Sequence, residues 1–465
     1  MPDSPDTPAV PPPQEPDRRR FFRLFGGDIA SSIGSVIGAA QALQAESATA
    51  ARELLALSVP EVPAVPAAVE IDASTAGYRA PYRWGADGLR IVDQRRLPDV
   101  ITEMVLIGAA DTVNAINEGA ILGSAVQAQV AAVTIAQVAS AARTSRPFAR
   151  RATIRGAATA LRLTRPGSAA MAAALERMLA RLDLFDHEAE GDAIADALRN
   201  EAERIVFETT NDHGALITHG LTALPGEPDA PIHVLTAGTT GAMGGGQAGT
   251  ALSVIMTAHH QGRPVHALVA ETRPAFAGSR IAAWELGQAG VPFAIVTDAA
   301  APGCIAEGEV AAVLVGADRV AANGDIIAPA GTYPLALAAH AAGVAFLVCA
   351  PTTAIDLATP SGEEATIEEG RSNPVLHAAG SRVAPAGSQA RNPVQDLTQA
   401  ALVGALVTEQ GVLRAPYGPA IAAAVAAAAV RRAASPGFAE LQRRAAEAEA
   451  TGAIDVGSPE PGIAG

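Results

Sequence analysis

Cysteine is nearly missing from this chain: two residues, Cys304 and Cys349, stand among 465. Two thiols cannot build a disulfide framework, and their spacing suits no metal site, so the composition fits a reducing compartment. Basic charge is also short, with 33 Lys and Arg against 48 Asp and Glu and a formal net charge of −15. Without a cationic excess there are few counterions to release, which excludes a general binder of nucleic acid or anionic membranes. Aromatics make up only 3% of residues, yet 49% are hydrophobic, so aliphatic side chains must supply the core. No apolar run is long and clean enough for a stable membrane span. The glycine-rich segment 239–246 is itself neither the dinucleotide GxGxxG nor a phosphate loop, since no Lys-Ser/Thr follows it, and His259-His260 have no third ligand at useful spacing. No metal and no cofactor is expected.

Composition divides the chain into four parts: an extension and linker over 1–77, a mainly helical domain over 78–205, an α/β domain over 206–417, and a helical extension with a tail over 418–465. Residues 1–16 are rich in Pro, Asp and Ser and cannot bury a core. Asp17-Arg18-Arg19-Arg20-Phe21-Phe22-Arg23 and the apolar stretch after it resemble a twin-arginine export signal over 17–45. Asp28 and the glutamine-bearing end weaken that likeness and favour an amphipathic helix. The cytoplasm is the expected location, with export by that signal as the alternative. From Tyr82 to Gln94 the pattern reads as a hairpin around Ala86-Asp87-Gly88, and 109–205 as alanine-rich helices.

Five apolar runs follow, at 232–236, 264–270, 292–298, 311–317 and 345–350, with helical stretches between them. Alternation of strand and helix predicts a Rossmann-like, doubly wound parallel sheet, so the fold class is α/β with a small β-hairpin and helical bundle ahead of it. The carboxyl ends of parallel strands form the ligand crevice, which places Thr236, Glu271, Asp298 and Asp318 on one edge. Residues 351–417 read as irregular and as a candidate cover for that edge. An alanine-rich helix follows Tyr417.

Three motifs on the edge carry chemistry. Thr239-Thr240-Gly241-Ala242-Met243-Gly244-Gly245-Gly246 joins a strand to a helix expected to begin near Ala248. It is either an anion cradle of backbone N–H groups or a tight turn. Asp318-Arg319 closes another strand and supplies either an acid or base, or a structural ion pair. Glu271-Thr272-Arg273-Pro274 has the same two readings. His213, placed at a helix end, and His259-His260, placed mid-helix, read as solvated or core histidines, and Cys349 as a buried structural thiol.

Several longer stretches, GTALSVIMTAHHQG, ETRPAFAGSRIAAWEL, VGADRVAANGD, GTYPLALAAHAAGVAF, APTTAIDLATPSGEE and NPVQDLT, resemble the methylthioribose-1-phosphate isomerase family. That family shares its fold with ribose-1,5-bisphosphate isomerase and with regulatory subunits of a translation-initiation exchange factor. Weaker matches lie at DQRRLP (93–98), Arg165-Pro166 and DHGALI (212–217), so the likeness spans roughly 80–417. It implies a dimer and the conversion of an aldose 1-phosphate to a ketose 1-phosphate in methionine salvage, served by a cysteine and an aspartate. By that likeness Asp318 is the catalytic aspartate. Arg165, Thr239, Thr240, Gly241, Gly244, Gly245, Glu271 and Arg273 are the candidate substrate-binding residues.

The match fails at informative places. The family's Thr-His-Cys-Asn-Ala-Gly reads Thr236-Ala237-Gly238-Thr239-Thr240-Gly241, so glycine stands where the resemblance implies the catalytic cysteine. Its Arg-Gly-Ala-Pro-Ala-Ile-Gly reads Glu118-Gly119-Ala120-Ile121-Leu122-Gly123-Ser124, an anion for a cation that meets phosphate. Ala277 and Ala328-Pro329 replace a glutamine and an Asn-Lys. Two classes stay open. One is a divergent isomerase of a sugar or sugar phosphate that uses Asp318. The other is a non-catalytic member, either a ligand sensor or an inactive subunit. The expected partners are a small sugar ligand and either a second copy or an active paralogue.

Overall fold

The computed structural model describes residues 81–85, 88–378 and 380–434. The readings for 1–77, the Ala86-Asp87 turn and the tail after Ala434 lie outside the described residues. Strands β1 (Tyr82–Gly85), β2 (Gly88–Val92) and β3 (Glu103–Leu106) form an antiparallel sheet in that order, one strand more than the hairpin expected. Five helices follow: α1 (Ala109–Asn117), α2 (Ser124–Ala141), α3 (Pro147–Thr164), α4 (Ala169–Asp183) and α5 (Gly191–Ala223). Helix α2 is apolar on nearly every side, and every residue from Val126 to Ala136 is buried, so it forms the axis of the bundle. Helix α5 runs unbroken through 205–206, where composition had suggested a boundary. Its first half, including Ile194 and Leu198, packs in the core of the bundle; Leu216 and Ile217 in its second half pack in the core of the large sheet.

The large sheet contains β4 (Ile232–Thr236), β5 (Val265–Ala270), β6 (Phe293–Val296), β7 (Ala312–Val315), β10 (Ala345–Cys349), β15 (Ala405–Thr408) and β16 (Gly411–Leu413), in the order β16-β15-β10-β7-β4-β5-β6. All neighbours pair in parallel except β15 with β16. The continuous apolar runs follow from burial on both faces, as in β7, where all four residues are buried. Winding goes from β4 outward through β5 and β6, then returns to β7 on the other side. The topological switch point, where ligands bind in such sheets, is therefore the β4/β7 carboxyl edge.

Residues 351–417 are not irregular. They supply β15 and β16, a small hairpin of β12 (His377–Ala378) and β13 (Ser381–Arg382), and two strands of a second sheet in which β11 (Ile355–Asp356), β8 (Arg319–Ala321), β9 (Ile326–Pro329) and β14 (Gln395–Thr398) lie side by side. Strands this short, separated by Gly and Pro, leave little periodicity to read. The helix after Tyr417 is present as Tyr417–Ala434 and ends on a buried charge cluster. Arg432 donates to Asp212 (2.8 Å), Glu409 (3.2 Å) and Thr352 (2.6 Å), and Arg431 donates to Asp212 at 2.5 Å. No helix among the described residues is long and apolar enough to cross a membrane.

Candidate functional site

Asp318 lies three residues beyond the end of β7 and is 9% exposed. Its backbone is fixed first: the N–H donates to Ile327 C=O at 2.9 Å, and the C=O accepts from Ala169 N–H at 3.0 Å, at the start of α4. Its carboxylate is then surrounded from three sides. Oδ2 accepts from Arg165 Nη2 at 3.0 Å and from Gln395 Nε2 at 2.5 Å, and Oδ1 accepts from the hydroxyl of Ser124, the first residue of α2.

Arg165 is itself held from every side, donating to Glu368 Oε2 at 2.8 Å and to Gln127 Oε1 at 2.6 Å. Burial disfavours its charge, but Asp318 and Glu368 outweigh that and raise its pKa above the ordinary arginine value. Between Arg165 and α4, Gly167 leaves the room that Glu368 and Gln395 need; a Cβ there would sit 2.6 Å from Gln395 Oε1. Sequence reading missed Ser124, Gln127, Glu368 and Gln395. Glu368 and Gln395 fall inside the stretch read as irregular.

Across the switch point, Gly238 follows β4 with φ +79, its N–H donating to Thr272 Oγ1 at 2.9 Å. Thr236 Oγ1 is buried and has no hydrogen-bond partner among the described residues. An added Cβ at Gly238 would meet Pro329 Cγ at 3.6 Å, an ordinary contact, so space does not exclude a larger residue. The left-handed backbone does impose strain. Gly238→Cys is expected to cost about 1 kcal/mol in urea denaturation and to yield a thiol that reacts with iodoacetamide. A cost of several kcal/mol would mean that the crevice wall is tighter than these contacts indicate.

The glycine segment folds as a tight turn into a short helix. Ala242–Gly245 forms a short helix, and the next helix begins at Ala251, not near Ala248. Gly244 and Gly245 N–H donate to Gly241 C=O at 3.2 and 2.9 Å, and Met243 N–H donates to Glu285 Oε1 at 2.8 Å. Gly123, with φ +107, presses against it so closely that a Cβ would lie 2.4 Å from Gly244 Cα. Gln94, fully buried, donates to Met243 C=O at 2.9 Å and accepts from Leu122 N–H at 2.9 Å. These contacts seat Ser124 at the crevice. Of the two threonines, Thr240 turns inward and its Oγ1 accepts from Leu252 N–H at 3.1 Å; Thr239 is half-buried.

The remaining candidates lie further along the edge. Glu271 is half-buried beyond β5, and its C=O accepts from Gly278 N–H at 3.1 Å. Asp298 binds Thr272 and Arg273 N–H at 2.8 and 2.7 Å, shaping the turn in which Thr272 has φ 56. Arg273 lies over Phe276 and donates to the carbonyls of Pro374 and Val375. Glu118 does not face Asp318's partners; it pairs with Arg95 at 2.5 Å on an exposed surface. His213 is buried within α5, not at its end, and burial lowers its pKa. His259 and His260 close the helix Ala251–His260 rather than sit in its middle. Cys349 is buried among apolar side chains, and that burial pushes its thiol up to about 12.

A family model described as the Initiation factor 2 subunit family matches residues 120–415. The chain belongs to that family. Methylthioribose-1-phosphate isomerase of Chloroflexus aurantiacus is 39% identical over 334 residues, covering 72% of this chain and 95% of the relative. The protein of the same name from Anaeromyxobacter sp. is 40% identical over 345 residues, 74% and 97% of the two chains. Among solved structures, 5-methylthioribose 1-phosphate isomerase from Pyrococcus horikoshii OT3 superposes with a TM-score of 0.67 at 25% identity, covering 80% of this chain and all of the other. The initiation factor eIF-2B subunit delta from A. fulgidus gives 0.62 at 26%, covering 74% and 99%. Within the Initiation factor 2 subunit family, this member thus aligns over most of its length both with named isomerases and with a named translation initiation factor subunit.

Proposed function

We propose that this chain is a divergent aldose–ketose isomerase, acting on a sugar or sugar phosphate other than methylthioribose 1-phosphate, with Asp318 as its acid–base group. One observation carries the reading: a nearly buried carboxylate, fixed by Ser124, Arg165 and Gln395, stands at the β4/β7 switch point. Relatives named as isomerases at 39 and 40% identity support the reaction class. Gly238, where the resemblance implies a cysteine, supports a changed substrate. The cytoplasm is the proposed location, with a homodimer or a heterodimer with an active paralogue as the assembly.

A second reading, a sensor or inactive subunit, is favoured by Gly238 and by the likeness to the A. fulgidus delta subunit. The test is NMR of the purified protein with methylthioribose 1-phosphate, ribose 1,5-bisphosphate and a panel of pentose 1-phosphates. Ketose formation on any panel member, fastest on one other than methylthioribose 1-phosphate, is the expected result. Absence of turnover together with a ligand-induced rise in melting temperature would replace the enzyme by the sensor.

A further inference from the structure

We infer that Ser124 is the second proton-transfer group of this site, relaying protons between the substrate and Asp318. The inference rests on the isomerase reading above. Asp318 Oδ2 is occupied by two donors, the guanidinium of Arg165 and the amide of Gln395, at 3.0 and 2.5 Å. Neither gives up a proton near neutral pH. Oδ1 is bound by the Ser124 hydroxyl, a group whose proton can move. Arg165 cannot swing aside to free Oδ2, because Glu368 and Gln127 hold its other nitrogens.

A path from Asp318 toward ligand therefore runs from Oδ1 through the hydroxyl of Ser124. Position favours it as well. Ser124 is half-buried while Asp318 is nearly enclosed, so the hydroxyl is the more accessible of the two. Gly123, one residue earlier, abuts the backbone of Gly244 in the segment that follows Gly238. Ser124 thus stands between the chain leaving β4 and the carboxylate leaving β7. Thiols do not compete for the role: Cys349 lies in the apolar core, and Cys304 lies on the short helix Ala301–Ala306 beyond β6.

In the relay, a substrate hydroxyl loses its proton to Ser124 Oγ as Oγ gives its own proton to Asp318 Oδ1. One O–H bond breaks in the substrate, one breaks and one forms at serine, and one forms at the carboxyl. The reverse passage delivers the proton to the ring oxygen as its bond to C1 breaks. The hydrogen on C2 moves with its electron pair to C1 and the deprotonated C2 oxygen becomes the ketone carbonyl, so no other reactant is required. The serine hydroxyl adds to what a bare carboxylate could do by reaching further into the crevice, and its small side chain leaves room for the sugar.

The experiment uses the full-length protein, the pentose 1-phosphate panel above, and the variants Ser124→Ala, Ser124→Cys and Asp318→Asn, each checked for an unchanged melting temperature. Expected are turnover in the wild type, a loss of about 10²-fold in kcat with little change in KM for Ser124→Ala, and partial recovery in Ser124→Cys. The cysteine variant should also show an altered pH profile, because a thiol ionises several pH units below a hydroxyl. Ser124→Ala with kcat within threefold of wild type, while Asp318→Asn is inert, overturns the relay alone. Loss in Ser124→Ala without recovery or a changed profile in Ser124→Cys assigns serine to packing and also overturns it. A wild type inert on the whole panel overturns the isomerase reading and the relay with it.

Discussion

Asp318→Asn is expected to lower isomerase turnover by about 10³–10⁴-fold, the upper part of the range for a lost acid–base group. Asparagine keeps the shape, so Ser124 can still donate to the side-chain oxygen. The amide nitrogen, however, would face Arg165 Nη2 and Gln395 Nε2, both donors, where the carboxylate now accepts from each. Proton transfer is lost and the geometry is disturbed together. Folding should survive, because Arg165 keeps Glu368 as an anionic partner at 2.8 Å. Steady-state kinetics beside a melting curve separate the two effects. Turnover within tenfold of wild type would remove Asp318 from the chemistry.

Arg432→Ala is expected to destabilise the fold by about 3 kcal/mol, the lower end of the cost of breaking a buried ion pair, because Arg431 still reaches Asp212 and Glu409. Glu409 has no exposed side-chain surface and Asp212 only 4%, and Arg432 reaches both; Arg431 is the more exposed of the two arginines. Burial, then the nearby Asp212 charge, raises the pKa of Glu409 above its ordinary value, against the pull of Thr352 and Arg432. A carboxyl raised in this way favours the fold below its unfolded pKa, and the gain is lost as pH rises through the folded value. Removal of Arg432 enlarges that loss, so the deficit should be greatest at neutral pH and shrink toward the ordinary glutamate range. Urea titrations at about pH 7 and about pH 5 read it directly. An equal deficit at both values would show that Arg432 acts through packing and not charge.

The sheet was legible because strands buried on both faces, such as β7 and β10, must be written as apolar runs, and Asp318 because its motif ends one of them. Its surroundings were not. Gln127, Arg165, Glu368 and Gln395 are separated from one another or from Asp318 by tens to hundreds of residues, and no local period links them. The glycines at 241–246 left two readings open for a related reason. Consecutive glycines allow an anion to approach, but they equally allow another backbone to do so, and here Gly123 of the helical bundle takes that place. Glu118 likewise reads as an anion in a phosphate motif, yet it pairs with Arg95.

Helix α5 is the one covalent connection between the described bundle and the large sheet, and it is a single rod of 33 residues, about 50 Å long at 1.5 Å per residue. A linkage of this kind transmits torque instead of absorbing it. Turning the bundle away from the sheet would bend a hydrogen-bonded cylinder whose two ends are embedded in different cores, while also pulling Arg165 from Asp318 and Gln94 from Met243. The crevice thus has a fixed gauge, because the two bodies that wall it cannot swing apart without breaking those contacts.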